Sequence, residues 1–481
     1  MNNDAGRQPT DEDNNNSVTP STNKFVGSGI LLFIDQLLVA TSNFVFWLVL
    51  SRFASTSDIG EATSISSLVM LVTLITQLGL EYPLLKLSSA NKSRIFGTIL
   101  TIKFAVTLAS VPIMVYVIMN FYGYPLHHEF VWISIAILLA TSMSFVARFA
   151  LLGISDVKHV LMFEVFGTIM KFVVGYLLVS IGHGAFGLLI AFLSSSIVSS
   201  VGLLFIAKRS FQFGVGDSKF FKQITKEGIS NTPSKLSRMF IVNLSVVLLA
   251  SLAINSSEIG IFYIALMISI TAASFAASIA FMAIPASSLA EKDLTVNGMR
   301  IGLSLTVPVI TAIIVSPGSI LSLIGPEYIA AENVLFILGI GILPSIIGLN
   351  AISQLNTKGK SKEIVIIGVI QLVTFLAAFT VLVPQYGMLG AAYSILFGFT
   401  TSAIPSAVWL GRRSIRYILF SMVAIGIGWS IGNLAIETFT IFPALGMIIS
   451  SAASFGIIIL SKNTSLKEMK QIVKIGLMRS H

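Results

Sequence analysis

The sequence predicts an all-helical polytopic membrane protein with about fourteen transmembrane helices, twelve of them forming two parallel six-helix repeats. Three observations carry this reading. The 481 residues are 55% hydrophobic and only 11% charged, where a soluble domain is about 25% charged. Apolar runs of about 20 residues recur along nearly the whole chain, the length that crosses a hydrocarbon core of about 30 Å. They do not alternate as the strands of a membrane β-barrel do. Lys and Arg gather in alternate connections between these runs, the mark of cytoplasmic loops.

In chain order, residues 1–24 are polar, with Asn2, Asn3, Asn14, Asn15 and Asn16 and the acids Asp11, Glu12 and Asp13. No apolar segment opens the chain, so no cleavable signal peptide is expected, and this tail is expected to be disordered and cytoplasmic. Spans are expected at 26–50, 62–85, 97–119, 131–152, 161–182, 186–207, 239–254, 259–283, 301–324, 333–354, 364–384, 388–410, 417–436 and 441–461. With the amino terminus inside, Arg52 is the only one of the 30 Lys and Arg residues in an outer connection. The longest inner connection, 208–238, carries Lys208, Arg209, Lys219, Lys222, Lys226, Lys235 and Arg238 against Asp217 and Glu227. An even span count returns the Lys-rich tail to the cytoplasm. The expected organisation is a tail at 1–24, a six-helix bundle at 25–207, a basic linker at 208–238, a second bundle at 239–411, two additional helices at 412–461 and a tail at 462–481. The chain is thus read as a multi-pass plasma-membrane protein with both termini cytoplasmic.

The repeat shows in two places. At a shift of 200, Asn43, Leu48, Ser51, Ser57, Ile59 and Gly60 recur as Asn243, Leu248, Ser251, Ser257, Ile259 and Gly260, and Asp58 becomes Glu258. At a shift of 203, Gly184 and Gly187 match Gly387 and Gly390 at tight outer turns. Six spans per copy keep both copies in the same orientation, a parallel repeat about an axis normal to the membrane.

Several chemistries are excluded. There is no cysteine, hence no disulfide or thiolate metal site. The five His residues are scattered, and the His127–His128 pair reads as exposed and polar, without a second ligand set for a metal. No P-loop occurs, which argues against ATP-driven transport within the chain, and no cofactor is implied. The net charge of +9 sits in short inner loops as a topology signal and does not imply nucleic acid. The outer connections are too short for a soluble catalytic domain.

The informative residues are ionisable ones within spans, where a charge costs about 2.5–3.5 kcal/mol at the bilayer centre and by default points to function. Asp35 lies near mid-depth of the first span and Lys171 near the middle of the fifth. Lys103 and Arg148 are shallower, and either snorkel to the inner surface or face the interior. Glu81 and Glu164, near inner ends, are weaker candidates. At a shift of 200, Lys171 meets neutral Gln371 and Arg52 meets Leu252, so the halves share a scaffold but differ in charge.

Four segments resemble a known family. SRFASTSDIG (51–60) is similar to the turn after the first span of the polysaccharide (O-antigen, Wzx-type) flippases, and GLEYPLLKLSSA (79–90) to their second-span exit. SDVKHVLMFEVFGTIMKF (155–172) is similar to their fifth-span entry, and IGPEYIAAENVLFILGIG (324–341), with its Gly-Pro-x-Tyr, is the most specific match. The resemblance covers most of 25–461. It implies the fold of the multidrug/oligosaccharidyl-lipid/polysaccharide (MOP) exporter superfamily, two six-helix bundles around a central cavity. It also implies a function: moving a polyprenyl-diphosphate-linked saccharide from the inner to the outer leaflet. On that basis Lys171, Arg52, Arg148 and Lys103 are candidates to attract the diphosphate, and Asp35 to carry a coupling H⁺ or Na⁺. The partners are then the lipid-linked saccharide, the coupling ion and membrane lipids, with no enzyme activity.

Two other readings compete. A multidrug cation antiporter of the same superfamily predicts a cavity dominated by acids, whereas the deep ionisable residues here are more often bases. A polytopic glycosyltransferase or ligase predicts a sizeable outer loop with catalytic acids or His and no repeat.

Overall fold

The structure, a computed structural model, describes residues 38–81, 84, 92–122, 128–154, 156–211, 214, 221–222, 224–226, 238–252, 254–289, 295–439 and 443–460. Both expected tails, most of the basic linker, His127 and Asp35 lie outside these residues. Among the described residues there is no strand. The helices are α1 (Leu38–Leu50), α2 (Thr56–Thr76), α3 (Lys92–Phe121), α4 (His128–Gly153), α5 (Val157–Ser180), α6 (Gly184–Ser210), α7 (Arg238–Ser251), α8 (Ser256–Leu289), α9 (Thr295–Val315), the short α10 (Pro317–Ser322), α11 (Glu332–Thr357), α12 (Ser361–Leu410), α13 (Arg412–Phe439) and α14 (Pro443–Leu460). Eleven helices among the described residues are long and apolar enough to cross a membrane.

Local sequence explains where these elements differ from the hydropathy limits. Helix α2 starts at Thr56, ahead of the expected 62, because Ser55 and Asp58 form a capping box. Those polar residues begin a helix without adding to its hydropathy. Helix α9 stops at Val315, short of 324, and Pro317 opens a separate helix. Helix α12 has 50 residues, about 75 Å if straight, more than twice the hydrocarbon thickness. It folds at Gly387, whose φ of 52° and ψ of −128° are non-helical, between the two spans expected there.

The helices are apolar nearly all round, so the buried face is chosen by small and hydroxylic residues. Helix α2 shows this. Its buried positions include Gly60, Thr63, Ser64, Ser67, Thr73 and Thr76, while Met70 and Ile75 are exposed. Four of the five hydroxyls donate back to their own helix, among them Ser64 to the Gly60 carbonyl at 2.7 Å and Thr73 to Val69 at 2.8 Å, which satisfies most of the buried polarity; the Ser67 hydroxyl is buried with no hydrogen-bond partner. Helices α2, α9 and α11 are the most enclosed long spans, with α8 next, and α5 and α14 among the least. The additional pair α13–α14 docks on α9 through a glycine seam: Gly428 and Gly432 lie against Thr311, Val315, Ser450 and Ser454.

The two repeats meet where α2 crosses α8. Gly60 and Gly260, the repeat-related glycines, face each other there. A Cβ on Gly60 would strike the Ser256 carbonyl, and one on Gly260 the Thr56 carbonyl. Only glycine permits so close a backbone approach. The residue pairs 56/257 and 57/256 are reciprocal, as a pseudo-twofold axis requires. This places the sequence repeat at the axis of the fold.

Candidate functional site

Two features stand out, a seal between the halves and a buried cation. At the seal, the Thr56 and Ser257 hydroxyls lie 2.5 Å apart and those of Ser57 and Ser256 2.6 Å apart. Arg52 Nη2 donates to the Leu323 carbonyl of the second half at 2.6 Å. Asp58 braces the first-half side. Its Oδ2 accepts from the Ser55 hydroxyl at 2.6 Å, and its Oδ1 accepts from the Ala185 amide at 3.1 Å. One carboxylate therefore caps the amino termini of both α2 and α6, where a negative charge is favoured. Gly184 permits this contact, since a side chain there would meet the Asp58 carboxylate. The repeat-related acid, Glu258, lies beside Gly387, so the acid–glycine arrangement recurs in the second half.

The cation is Lys171, only 5% exposed. It lies on the buried stripe of α5 with Gly167, Gly175 and Val179, where Gly175 packs against Phe46, Leu50 and Ala191. Its Nζ donates to Asn43 Oδ1 at 2.6 Å and lies 4.7 Å and 5.4 Å from the ring centres of Phe46 and Phe192. These ring faces offer the ammonium favourable quadrupole contacts. Among the described residues no carboxylate lies within ion-pair distance of it. Glu164, on the same helix, is paired with Arg148 at 2.9 Å. The aromatic cluster continues through Phe172 and Trp47 to Tyr263 on α8, with Trp47 and Tyr263 centroids 5.3 Å apart.

The four candidate cations are not one cluster. Arg148 ties α4 to α5 through Glu164, with both side chains about one-fifth exposed. Lys103 is fully buried inside the first half and does not snorkel. Its Nζ donates to the Thr76 hydroxyl at 2.7 Å and the Thr73 carbonyl at 3.4 Å, and lies 5.5 Å from the Phe145 ring centre. Arg52 is exposed and spans the halves, and Lys171 sits in its own nest. Asp35 lies outside the described residues. Sequence reasoning did not single out Phe46, Phe192, Tyr263 or the hydroxyl pairs as functional. The signal for the pairs was present in the recurrence of Ser57 and Gly60 at Ser257 and Gly260. In the second half, Gly390 packs on Leu382 and Val383 as Gly187 does on Leu178 and Val179, so the structural register puts the buried, apolar Phe375 at the Lys171-related position, where the constant shift of 200 had pointed to Gln371. A cleft in that half is lined by apolar residues apart from Ser269 and Ser345.

This fold of two related helical halves with a pair of helices appended is shared by known structures. The chain is similar to the lipid II flippase MurJ in an inward closed conformation, with a TM-score of 0.64 at 14% identity over 95% of this chain and 99% of that one. It is also similar to an inward-facing multidrug resistance MATE family transporter of the MOP superfamily, with a TM-score of 0.59 at 15% identity over 83% of this chain and 98% of that one. A MOP superfamily transporter from Pyrococcus furiosus gives a TM-score of 0.55 at 15% identity, over 84% of this chain and 99% of that one. No curated protein matches in sequence. The polysaccharide biosynthesis protein family matches residues 49–340, and the chain belongs to that family. It is a multi-pass membrane protein, and the solved structures it resembles are transporters and a flippase, not enzymes.

Proposed function

We propose that the protein flips a polyprenyl-diphosphate-linked saccharide from the cytoplasmic to the outer leaflet of the plasma membrane by alternating access. The observation that carries this is Lys171. A lysine costs about 2.5–3.5 kcal/mol at the bilayer centre, yet here its polar partner is a neutral amide. No described carboxylate lies within ion-pair distance of Lys171, which suits its charge to an arriving anion such as a diphosphate. Arg52 and Lys103 extend positive potential through the first half, and Arg148 adds to it only when its pair with Glu164 opens. A substrate with a bulky polar head also needs the halves to part, and the seal is suited to reversible opening. Its cross-links are two hydroxyl pairs and one bond to a carbonyl, each worth about 1 kcal/mol net. In this reading the seal closes the outer face, the linker 208–238 joins the halves on the cytoplasmic side, and Asp35 carries the coupling H⁺ or Na⁺.

The test is transport of a lipid-linked saccharide into vesicles, with expression checked in parallel. Lys171→Ala should insert at least as well as the parent and transport poorly, and Lys171→Arg should retain part of the activity. Full transport by a normally expressed Lys171→Ala protein would refute the cationic-site reading.

A further inference from the structure

Resting on that reading, we infer that Asn43 is a positioning residue. It holds Lys171 in reserve until an anion takes its place, and the exchange is passed to the second half through Trp47 and Tyr263. Three observations support this. First, Lys171 is saturated in the sealed state, with Asn43 Oδ1 at 2.6 Å and the faces of Phe46 and Phe192 around its ammonium. An anion therefore reaches the charge by displacing the amide, which is the partly exposed member of the pair. Second, Asn43, Phe46 and Trp47 share one face of α1, at the i, i+3 and i+4 spacing. Phe46 packs edge-on against Trp47, Phe172 and Phe192 at 5.2–5.5 Å, so α1 cannot turn at Asn43 without disturbing Trp47. Third, Trp47 is 1% exposed and stacks edge-on with Tyr263 of α8 at 5.3 Å. Tyr263 lies three residues beyond Gly260, about 4.5 Å along the helix from the seal. Anion capture at Lys171 and release of the seal thus share one rigid aromatic connection.

The second half keeps Asn243 but not this device. Asn243 donates to the Met239 carbonyl of its own helix at 2.7 Å, and the Lys171-related residue is the buried Phe375. The device belongs to the first half alone, which gives the transporter a single trigger.

The experiment uses the full chain in nanodiscs of zwitterionic lipid, with inorganic pyrophosphate as the probe. Binding is followed by calorimetry. Seal opening is followed by the rate of disulfide formation between Ser57→Cys and Ser256→Cys, introduced into a chain that has no cysteine of its own. In the parent, pyrophosphate should bind and slow cross-linking. Asn43→Ala should bind pyrophosphate roughly tenfold more tightly, since one hydrogen bond to a charged group no longer competes, while cross-linking becomes insensitive to it. Asn43→Asp should abolish binding, because a carboxylate then neutralises Lys171. Opposite effects of the two variants cannot come from lost packing. If the parent binds pyrophosphate and both Asn43 variants bind it equally well, the inference is overturned and the cationic-site reading survives. If neither the parent nor Asn43→Ala binds it, and Lys171→Ala transports normally, both fall.

Discussion

Replacing Gly60 with alanine should open the seal between the halves. In the sealed state the added methyl would occupy the place of the Ser256 carbonyl and press on the Gly260 amide, 3.0 Å from the new Cβ. Both are helix backbone and cannot rotate away, so α2 and α8 must separate there. Separation breaks the Thr56–Ser257 and Ser57–Ser256 hydroxyl pairs and the Arg52–Leu323 bond. At about 1 kcal/mol net each, the sealed state loses about 3 kcal/mol, a shift of about two orders of magnitude in the closed-to-open ratio. Alanine's helix preference over glycine, up to about 1 kcal/mol, applies in both states and cancels. Disulfide formation in the Ser57→Cys/Ser256→Cys protein is the assay, and Gly60→Ala should slow it in proportion to the lost closed fraction, by at most a factor on the order of 100. Gly426→Ala, where a Cβ meets nothing within 4 Å, should leave the rate unchanged. An unaltered cross-linking rate in a well-folded Gly60→Ala protein would show that the crossing is not the seal.

Asp58→Ala should lower thermal stability in detergent by about 2 kcal/mol, since it uncaps α2 and α6 at about 1 kcal/mol each. Glu258→Ala should leave it unchanged, because that exposed carboxylate makes no hydrogen bond among the described residues; equal losses in the two variants would contradict the double-cap assignment. Topology reporters fused after residues 215, 360 and 470 should all report cytoplasm, and one near residue 125 the outside. An outside signal at 215 would invert the orientation and the direction of transport.

The class of this protein was legible in its sequence because membrane insertion depends on local quantities. Whether a run such as 131–152 or 364–384 partitions into lipid follows from its own length and hydropathy. The family was legible in short motifs such as Gly325-Pro326-Glu327-Tyr328, and the repeat in Ser57, Asp58 and Gly60 returning as Ser257, Glu258 and Gly260. What those returning residues do was not legible. That Gly60 faces Gly260, and Ser57 meets Ser256 and not Ser257, is set by a pseudo-twofold axis that exists only once the two halves pack. The cations show the same limit. Hydropathy placed Lys171, Lys103 and Arg148 within spans, but could not say which way each side chain points, because a helix apolar on every side carries no amphipathic signal. Tertiary packing alone decided that Arg148 meets Glu164, that Lys103 is enclosed by Thr73, Thr76 and Phe145, and that Lys171 lies between Asn43 and two aromatic rings. In a low-dielectric interior a charge is defined by what surrounds it, and residues 128 positions apart in sequence supply those surroundings for Lys171.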